Sequence, residues 1–296
     1  VETRANARHA SELRSVLDSF FEKIDPKLFE PFRCKTVLVT GATGLVGSLV
    51  CKALLFADSK YDIRCTVVAA VRDCGKLSKI LDGYATDGSL KEVEYDLLNG
   101  NLRIDSLDYI LHAAAVTKSK TMVEQPAYVA LTSLHGTEAM LELALKTGSR
   151  MLYVSSMEMY GTLAEGEIAD EARLGWIDLA SPRSCYPESK RMCECLCVSY
   201  AAQYGVQICV ARLAQTFGVG VLPGENRAFA QFARSAAAGD DIVLRTCGLS
   251  EGNYVNTIDC VTGLLTLLAR GDSGQAYNVA NEDSHGTIKE VATLAS

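Results

Sequence analysis

The rhythm of hydrophobic and polar positions changes twice along this chain. In residues 1–33, Leu13, Val16, Leu17, Phe20, Phe21 and Ile24 recur at steps of three and four, the spacing of one helical face. Ser11 is placed as an N-cap, and Pro26 and Pro31 close the segment. The pattern predicts an accessory N-terminal helical segment whose stripe packs on the main domain or on a second subunit. Its polar face mixes acids and bases, which favours a protein surface over a membrane. From Cys34 onward, short β-branched runs alternate with helical stretches, the signature of parallel strands joined by crossover helices. The runs Thr36–Thr40, Cys65–Val71, Tyr109–Ala115, Met151–Ser155 and Ile208–Leu213 are apolar on both faces and read as buried strands. Helices are expected near Gly47–Ala57, Ala127–Thr147 and Pro187–Tyr204. After residue 217 the alternation weakens and Gly, Pro, Asn and Asp become commoner. The expectation is an α/β fold, a doubly wound parallel sheet over 34–217, with a smaller lobe over 218–296.

Composition narrows this picture. The 296 residues are 48% hydrophobic and 22% charged, the balance of a chain that buries a core. Twenty-nine basic against thirty-six acidic residues give a net charge of −7. That lacks the footprint of a nucleic-acid binder, while leaving room for a local basic pocket. Eleven cysteines are an odd number in a long chain and read as reduced thiols of a cytoplasmic protein. Cys193, Cys195 and Cys197 alternate inside an expected helix, so neighbours fall on different faces, and no metal site is expected from them. No apolar run approaches the roughly 18 residues of a membrane span, so no membrane partner is expected.

The sharpest local signal is Thr40-Gly41-Ala42-Thr43-Gly44-Leu45-Val46-Gly47, after an expected strand and before an expected helix. Glycines there allow a tight turn and close approach of backbone N–H groups to a pyrophosphate at the positive end of a helix dipole. Gly41, Thr43, Gly44, Leu45 and Gly47 are therefore candidate cofactor contacts, and the sheet reads as Rossmann-type, with 34–217 a dinucleotide-binding domain. After the second strand stand Val71, Arg72 and Asp73. Arg72 can hold the 2′-phosphate of NADP; alternatively it stacks on the adenine, or Asp73 takes the ribose of NAD. Asp96 and Leu97, after a short third strand, are candidates for the adenine edge. Ala113 and Ala114 keep the end of the fourth strand narrow.

Tyr186 and Lys190 form Y-x-x-x-K, which puts both side chains on one helical face. A lysine ammonium there, together with a nicotinamide ring, is expected to lower the phenol toward neutrality and make it a general base. Ser155-Ser156-Met157-Glu158-Met159-Tyr160-Gly161 lies at the carboxyl end of another expected strand, where hydroxyls face the crevice that binds ligands.

Together the T-G-A-T-G-L-V-G loop, the S-S-x-x-x-Y-G segment and the Y-x-x-x-K pair resemble the extended short-chain dehydrogenase/reductase family, of the NAD-dependent epimerase/dehydratase type, from Lys35 onward. Pro182-Arg183-Ser184-Cys185-Tyr186 through Lys190-Arg191, followed by Ala211-Arg212-Leu213, is locally most similar to UDP-glucuronate decarboxylases. The resemblance implies catalysis by Ser156, Tyr186, Lys190 and Glu158. It also implies a recycled nicotinamide cofactor held in part by Tyr186 and Lys190, and a 4-keto sugar intermediate. Substrate contacts fall to Ser156, Gln215 and Arg227, the last in Asn226-Arg227-Ala228-Phe229, within a substrate-binding lobe over 218–296. Met157 stands where a deoxysugar dehydratase would carry an aspartic acid, which disfavours dehydration. Ser133 and Gln215 replace asparagines, and Gly252 replaces a diphosphate-binding arginine, for which Arg245 or Arg227 would compensate. Further helices beyond Ser296 are implied, and the helices 127–147 and 187–204 imply a homodimer.

The expected function is a UDP-sugar epimerase or a decarboxylase-like enzyme using NAD or NADP. The alternatives are an NADPH-dependent ketone or aldehyde reductase, argued from Arg72, and a non-catalytic dinucleotide-binding protein on the same fold.

Overall fold

A computed structural model describes residues 2–86, 88–100, 102–164, 166–222 and 224–296, with the backbone alone for 2–11. The β-branched runs form β1 (Thr36–Thr40), β2 (Thr66–Val71), β3 (Leu90–Glu94), β4 (Tyr109–His112), β5 (Arg150–Ser156) and β6 (Ile208–Leu213). The later strands are β7 (Gln215–Phe217), β8 (Glu251–Gly252), β9 (Tyr254–Asn256), β10 (Ala276–Val279) and β11 (Gly286–Thr287). The helices are α1 (Glu2–Phe21), α2 (Leu45–Tyr61), α3 (Cys74–Ile80), α4 (Ser119–Glu124), α5 (Pro126–Thr147), α6 (Cys185–Tyr204), α7 (Ala228–Ala238), α8 (Thr257–Arg270) and α9 (Ile288–Ala295).

Seven strands make one parallel sheet in the order β10-β6-β5-β4-β1-β2-β3. The chain winds outward from β1 to β3 and then crosses to β4, so the strand order reverses between β1 and β4. Such a switch point opens a crevice at the carboxyl edge, where ligands of doubly wound sheets bind. Alternate strand residues face opposite layers: Val37, Val39, Leu111 and Leu152 pack with α2 and α8, while Leu38, Ile110, Met151 and Val210 pack with α5 and α6. β4 ends at His112, earlier than the apolar run suggests, leaving Ala113 and Ala114 in the turn that follows.

Helix α1 corrects the reading of the N-terminal segment. It is already helical at Glu2, so Ser11 lies inside the helix rather than at its cap; the Ser11 side chain falls outside the described residues. Leu17, Phe21 and Ile24 are buried against the main domain, with the Phe21 and Phe56 rings 5.6 Å apart, whereas Leu13 and Val16 are exposed. The stripe is used only over its C-terminal half, where it meets α2. The stretch 218–296 divides between two places. The β7/β9 and β8/β11 pairs, α7 and α9 lie beside the sheet's carboxyl edge, while α8 and β10 return to the main sheet. Thr287 caps α9 in a reciprocal bond pair with Glu290. Among the described residues, no helix is long and apolar enough to cross a membrane.

Candidate active site

The glycine turn sits at the switch point. Gly41 has φ +71°, and a Cβ on it would lie 2.8 Å from the Ala114 Cα; a Cβ on Gly47 would lie 2.4 Å from the Gly41 carbonyl oxygen. Only glycine permits these approaches. The Gly44 amide donates to the Gly41 carbonyl at 2.8 Å, with Thr43 between them. No side chain of Gly44 caps α2, so its first turn, beginning at Leu45, presents backbone donors at the crevice. This cradle fits a pyrophosphate. Beneath it, Thr40 Oγ1 pairs with His112 Nδ1 at 2.7 Å and accepts from the Ala114 amide at 3.2 Å.

One strand outward, Arg72 follows β2 and is exposed. Asp73, the alternative ribose partner, is engaged otherwise: its Oδ1 accepts from the Lys76 amide at 2.9 Å and caps α3. Beyond β3, Asp96 Oδ1 closes a turn by accepting from Leu98 and Asn99 amides at 3.0 and 3.2 Å. Leu97 packs onto α5 at Gly136, where a Cβ would meet it at 2.8 Å.

The second half of the site comes from β5 and α6. Ser156 ends β5, and its Oγ accepts from the Glu158 amide at 3.3 Å. Tyr186 and Lys190 occupy successive turns of α6, with Lys190 Nζ 5.8 Å from the Tyr186 ring centroid and 4.7 Å from that of Tyr153. Lys190 is buried, and its ammonium donates to the Val154 carbonyl at 2.7 Å.

Around Tyr186 the protein's own groups, taken together, run against the phenolate. Burial pushes Tyr186 up to about 12 and the Glu158 charge adds to the rise, while a hydrogen bond with Ser156 and the charges of Arg183 and Arg227 oppose it. Desolvation dominates because Tyr186 is only 6% exposed. Burial likewise pulls Lys190 down to about 8, so the lysine is itself a weakened cation. Ser156, Glu158, Arg183 and Arg227 are thus the protein groups whose charge or hydrogen bonding acts on this hydroxyl.

Glu158 pairs with Arg183 at 2.6 Å, and the Arg183 guanidinium lies 5.8 Å from the Tyr186 ring centroid. Arg227 pairs with Glu225 at 2.8 Å and sits 5.0 Å from the Phe229 ring. The Gln215 amide donates to the Asn253 carbonyl at 3.0 Å. A Cβ on Gly252 would lie 3.5 Å from both Gln215 Nε2 and Met157 Cε, so these three form one uncharged wall. Arg245 is exposed. Ser133 spends its hydroxyl on the Val129 carbonyl within α5, at 3.0 Å, and does not take up the reach of an asparagine.

Sequence reasoning missed the buried polar groups behind this surface, namely Thr40, His112, Glu194 and Arg212. The usable signal was charge inside apolar runs: Glu194 four residues beyond Lys190, and Arg212 near the end of β6. Burial holds His112 neutral, lowered to about 3, with the Lys190 charge contributing.

The sequence profile of the NAD dependent epimerase/dehydratase family matches residues 37–280. The chain is 28% identical to UDP-glucuronic acid decarboxylase 1 of Danio rerio over 294 residues, covering 96% of this chain and 65% of that protein. It is 26% identical to the Xenopus tropicalis protein of the same name over 289 residues, covering 94% of this chain and 64% of that one. The chain thus spans 65% and 64% of the length of these curated relatives. Among solved structures, an epimerase of Methanothermobacter thermautotrophicus superposes with TM-score 0.74 at 23% identity, covering 91% of this chain and 78% of that one, and shares the fold.

Proposed function

The chain belongs to the NAD dependent epimerase/dehydratase family, and from that membership we propose that it remodels the sugar of a nucleotide sugar through a 4-keto intermediate. Epimerisation and decarboxylation are the two outcomes in view. The observation that carries this reading is the gathering of Ser156, Tyr186 and Lys190 at the carboxyl edge, beside a glycine turn that only backbone can line.

In this reading Gly41, Thr43, Gly44, Leu45 and Gly47 hold the pyrophosphate of a nicotinamide dinucleotide, and Ala113 and Ala114 let it lie flat against the sheet. Arg72, Asp96 and Leu97 line its adenosine end. When bound, that dinucleotide supplies the acceptor for a hydride from the sugar carbon. Tyr186 takes the proton of the sugar hydroxyl, and Ser156 hydrogen-bonds the same oxygen. The buried phenol has to become a phenolate first. Lys190, Arg183 and the Ser156 hydroxyl are the groups placed to favour that charge, while the Glu158 carboxylate opposes it and its contact with Arg183 offsets part of that opposition. Arg227, at the start of α7, is the candidate diphosphate contact, since its exposed pairing with Glu225 exchanges at little cost. With the uncharged wall of Met157, Gln215 and Gly252, the residues of 218–296 that lie beside the crevice form the substrate-binding lobe.

A second reading is net reduction of a ketone or aldehyde with NADPH, favoured by the exposed Arg72 and the engaged Asp73. The exposed Leu131, Met192 and Val198 on α5 and α6 support a homodimer through these helices. The unpaired cysteines support a cytoplasmic setting. Incubation with UDP-glucose, UDP-galactose, UDP-glucuronate and their N-acetyl analogues, with products resolved by NMR, tests the main reading. Conversion without net change in absorbance at the reduced-cofactor band is expected. Stoichiometric NADPH oxidation with a ketone or aldehyde identifies the reductase, and dinucleotide binding with no conversion across the panel removes the nucleotide-sugar reading.

A further inference from the structure

Directly behind Tyr186 and Lys190, α6 carries a third residue on the same face. Glu194 is 7% exposed and meets Arg212 of β6, itself 8% exposed. Arg212 Nε and Nη2 donate to Glu194 Oε2 at 3.0 and 2.7 Å, and the Ser155 hydroxyl donates to Glu194 Oε1. Arg212 Nη1 continues to the Tyr160 hydroxyl at 2.9 Å and to the Glu171 carbonyl at 2.9 Å; the Tyr160 hydroxyl donates to Asn278 Oδ1 of β10 at 2.7 Å. One buried ion pair therefore ties α6, the ends of β5 and β6, the turn that carries Glu158, and the sheet edge.

A buried pair of this kind is a poor source of net stability, because desolving both charges offsets their attraction. Its placement is the informative feature. Tyr186, Lys190 and Glu194 follow at steps of four along α6, and Ser155 adjoins Ser156. We infer that Glu194 and Arg212 are positioning residues for the candidate active site, locking the α6 face that bears Tyr186 and Lys190 onto the end of β5 that bears Ser156. The inference rests on the reading of those three residues as the reacting groups.

The pair has an electrical consequence as well. The groups facing Lys190 are Tyr186, Cys193, Glu194 and Cys197 on α6, Tyr153 and the Val154 carbonyl on β5, and the neutral His112 on β4. Burial pulls the lysine down, and the Glu194 carboxylate works with the cysteines to hold it up. Glu194 thus keeps an ammonium beside the phenol at neutral pH.

Glu194→Gln keeps the shape and removes the charge. In protein labelled with [13Cε]lysine, with the Lys190 signal assigned through Lys190→Arg, the wild-type lysine titrates near 8. In E194Q it titrates about one unit or more lower. The alkaline limb of turnover moves acid-ward by the same amount, and kcat at pH 8 falls roughly tenfold with KM unchanged. Arg212→Lys retains the Glu194 charge, so it leaves the lysine titration in place while lowering kcat. A role in folding alone would shift the melting temperature and leave the titration still. Should E194Q not fold, Glu194→Gln with Arg212→Met removes both charges together, and a smaller shift of Lys190 in the same direction is expected. An unmoved Lys190 titration in an active enzyme overturns the inference. A shifted titration in a wild type that converts no nucleotide sugar overturns the functional reading instead.

Discussion

The two faces of the central sheet are made by the same strands and bury different things. Against α2 and α8 the inward residues are apolar, as in Val37, Val39, Leu111, Leu152 and Ala211, with Ser156 at the end of β5 the polar exception. Against α5 and α6 the apolar series Leu38, Ile110, Tyr153 and Val210 gives way, at the carboxyl end of each strand, to Thr40, His112, Ser155 and Arg212. The first face holds the fold together. The second buries polar groups and one ion pair beneath the crevice, which agrees with the proposed placing of the reacting groups there.

Paired truncations sharpen that contrast. Leu264→Ala, at a fully buried position of α8, is expected to lower stability by about 2–5 kcal/mol, read by denaturant unfolding, with the pH profile of turnover unchanged. Lys190→Met on the other face is expected to do the opposite, raising stability by about 1–3 kcal/mol while abolishing turnover. Because burial lowers the lysine from 10.5 to about 8, the folded state holds that proton less tightly than the unfolded chain. The gain from K190M is therefore full below pH 8 and fades as pH rises to 10.5. A Lys190→Met protein less stable than wild type at pH 7 would break the comparison.

His112 supplies a smaller effect of related origin. Its folded value, lowered from 6.5 to about 3, means the unfolded chain takes up a proton that the folded chain refuses. Stability from this group is present above pH 6.5 and lost as pH falls, by about 1.4 kcal/mol per unit, or roughly 2 kcal/mol at pH 5. His112→Asn should flatten that slope in unfolding curves; an unchanged slope would place the acid sensitivity elsewhere.

Much of this architecture was legible before any coordinates. The glycine turn, the apolar strands and the Y-x-x-x-K face are local patterns, carried by residues near one another in the chain. What escaped depends on contacts that sequence does not bring together. Glu194 and Arg212 are 18 residues apart on different elements, and a charge inside an apolar run does not by itself name its partner. Spacing shows Lys190 beside Tyr186 but not how deeply both side chains are buried. Leu13 and Val16 share the periodicity of Leu17 and Phe21, yet they are exposed while Leu17 and Phe21 are buried.

The central claim is that Tyr186 is the base acting on a sugar hydroxyl at the glycine-lined crevice. Single-turnover absorbance near 340 nm, after adding a converted nucleotide sugar to protein loaded with oxidised dinucleotide, tests it most directly. Wild type should show the reduced cofactor rise, and Tyr186→Phe should show it at least about 10³-fold more slowly with unchanged dinucleotide affinity. A Tyr186→Phe protein that reduces its cofactor at the wild-type rate would contradict the account.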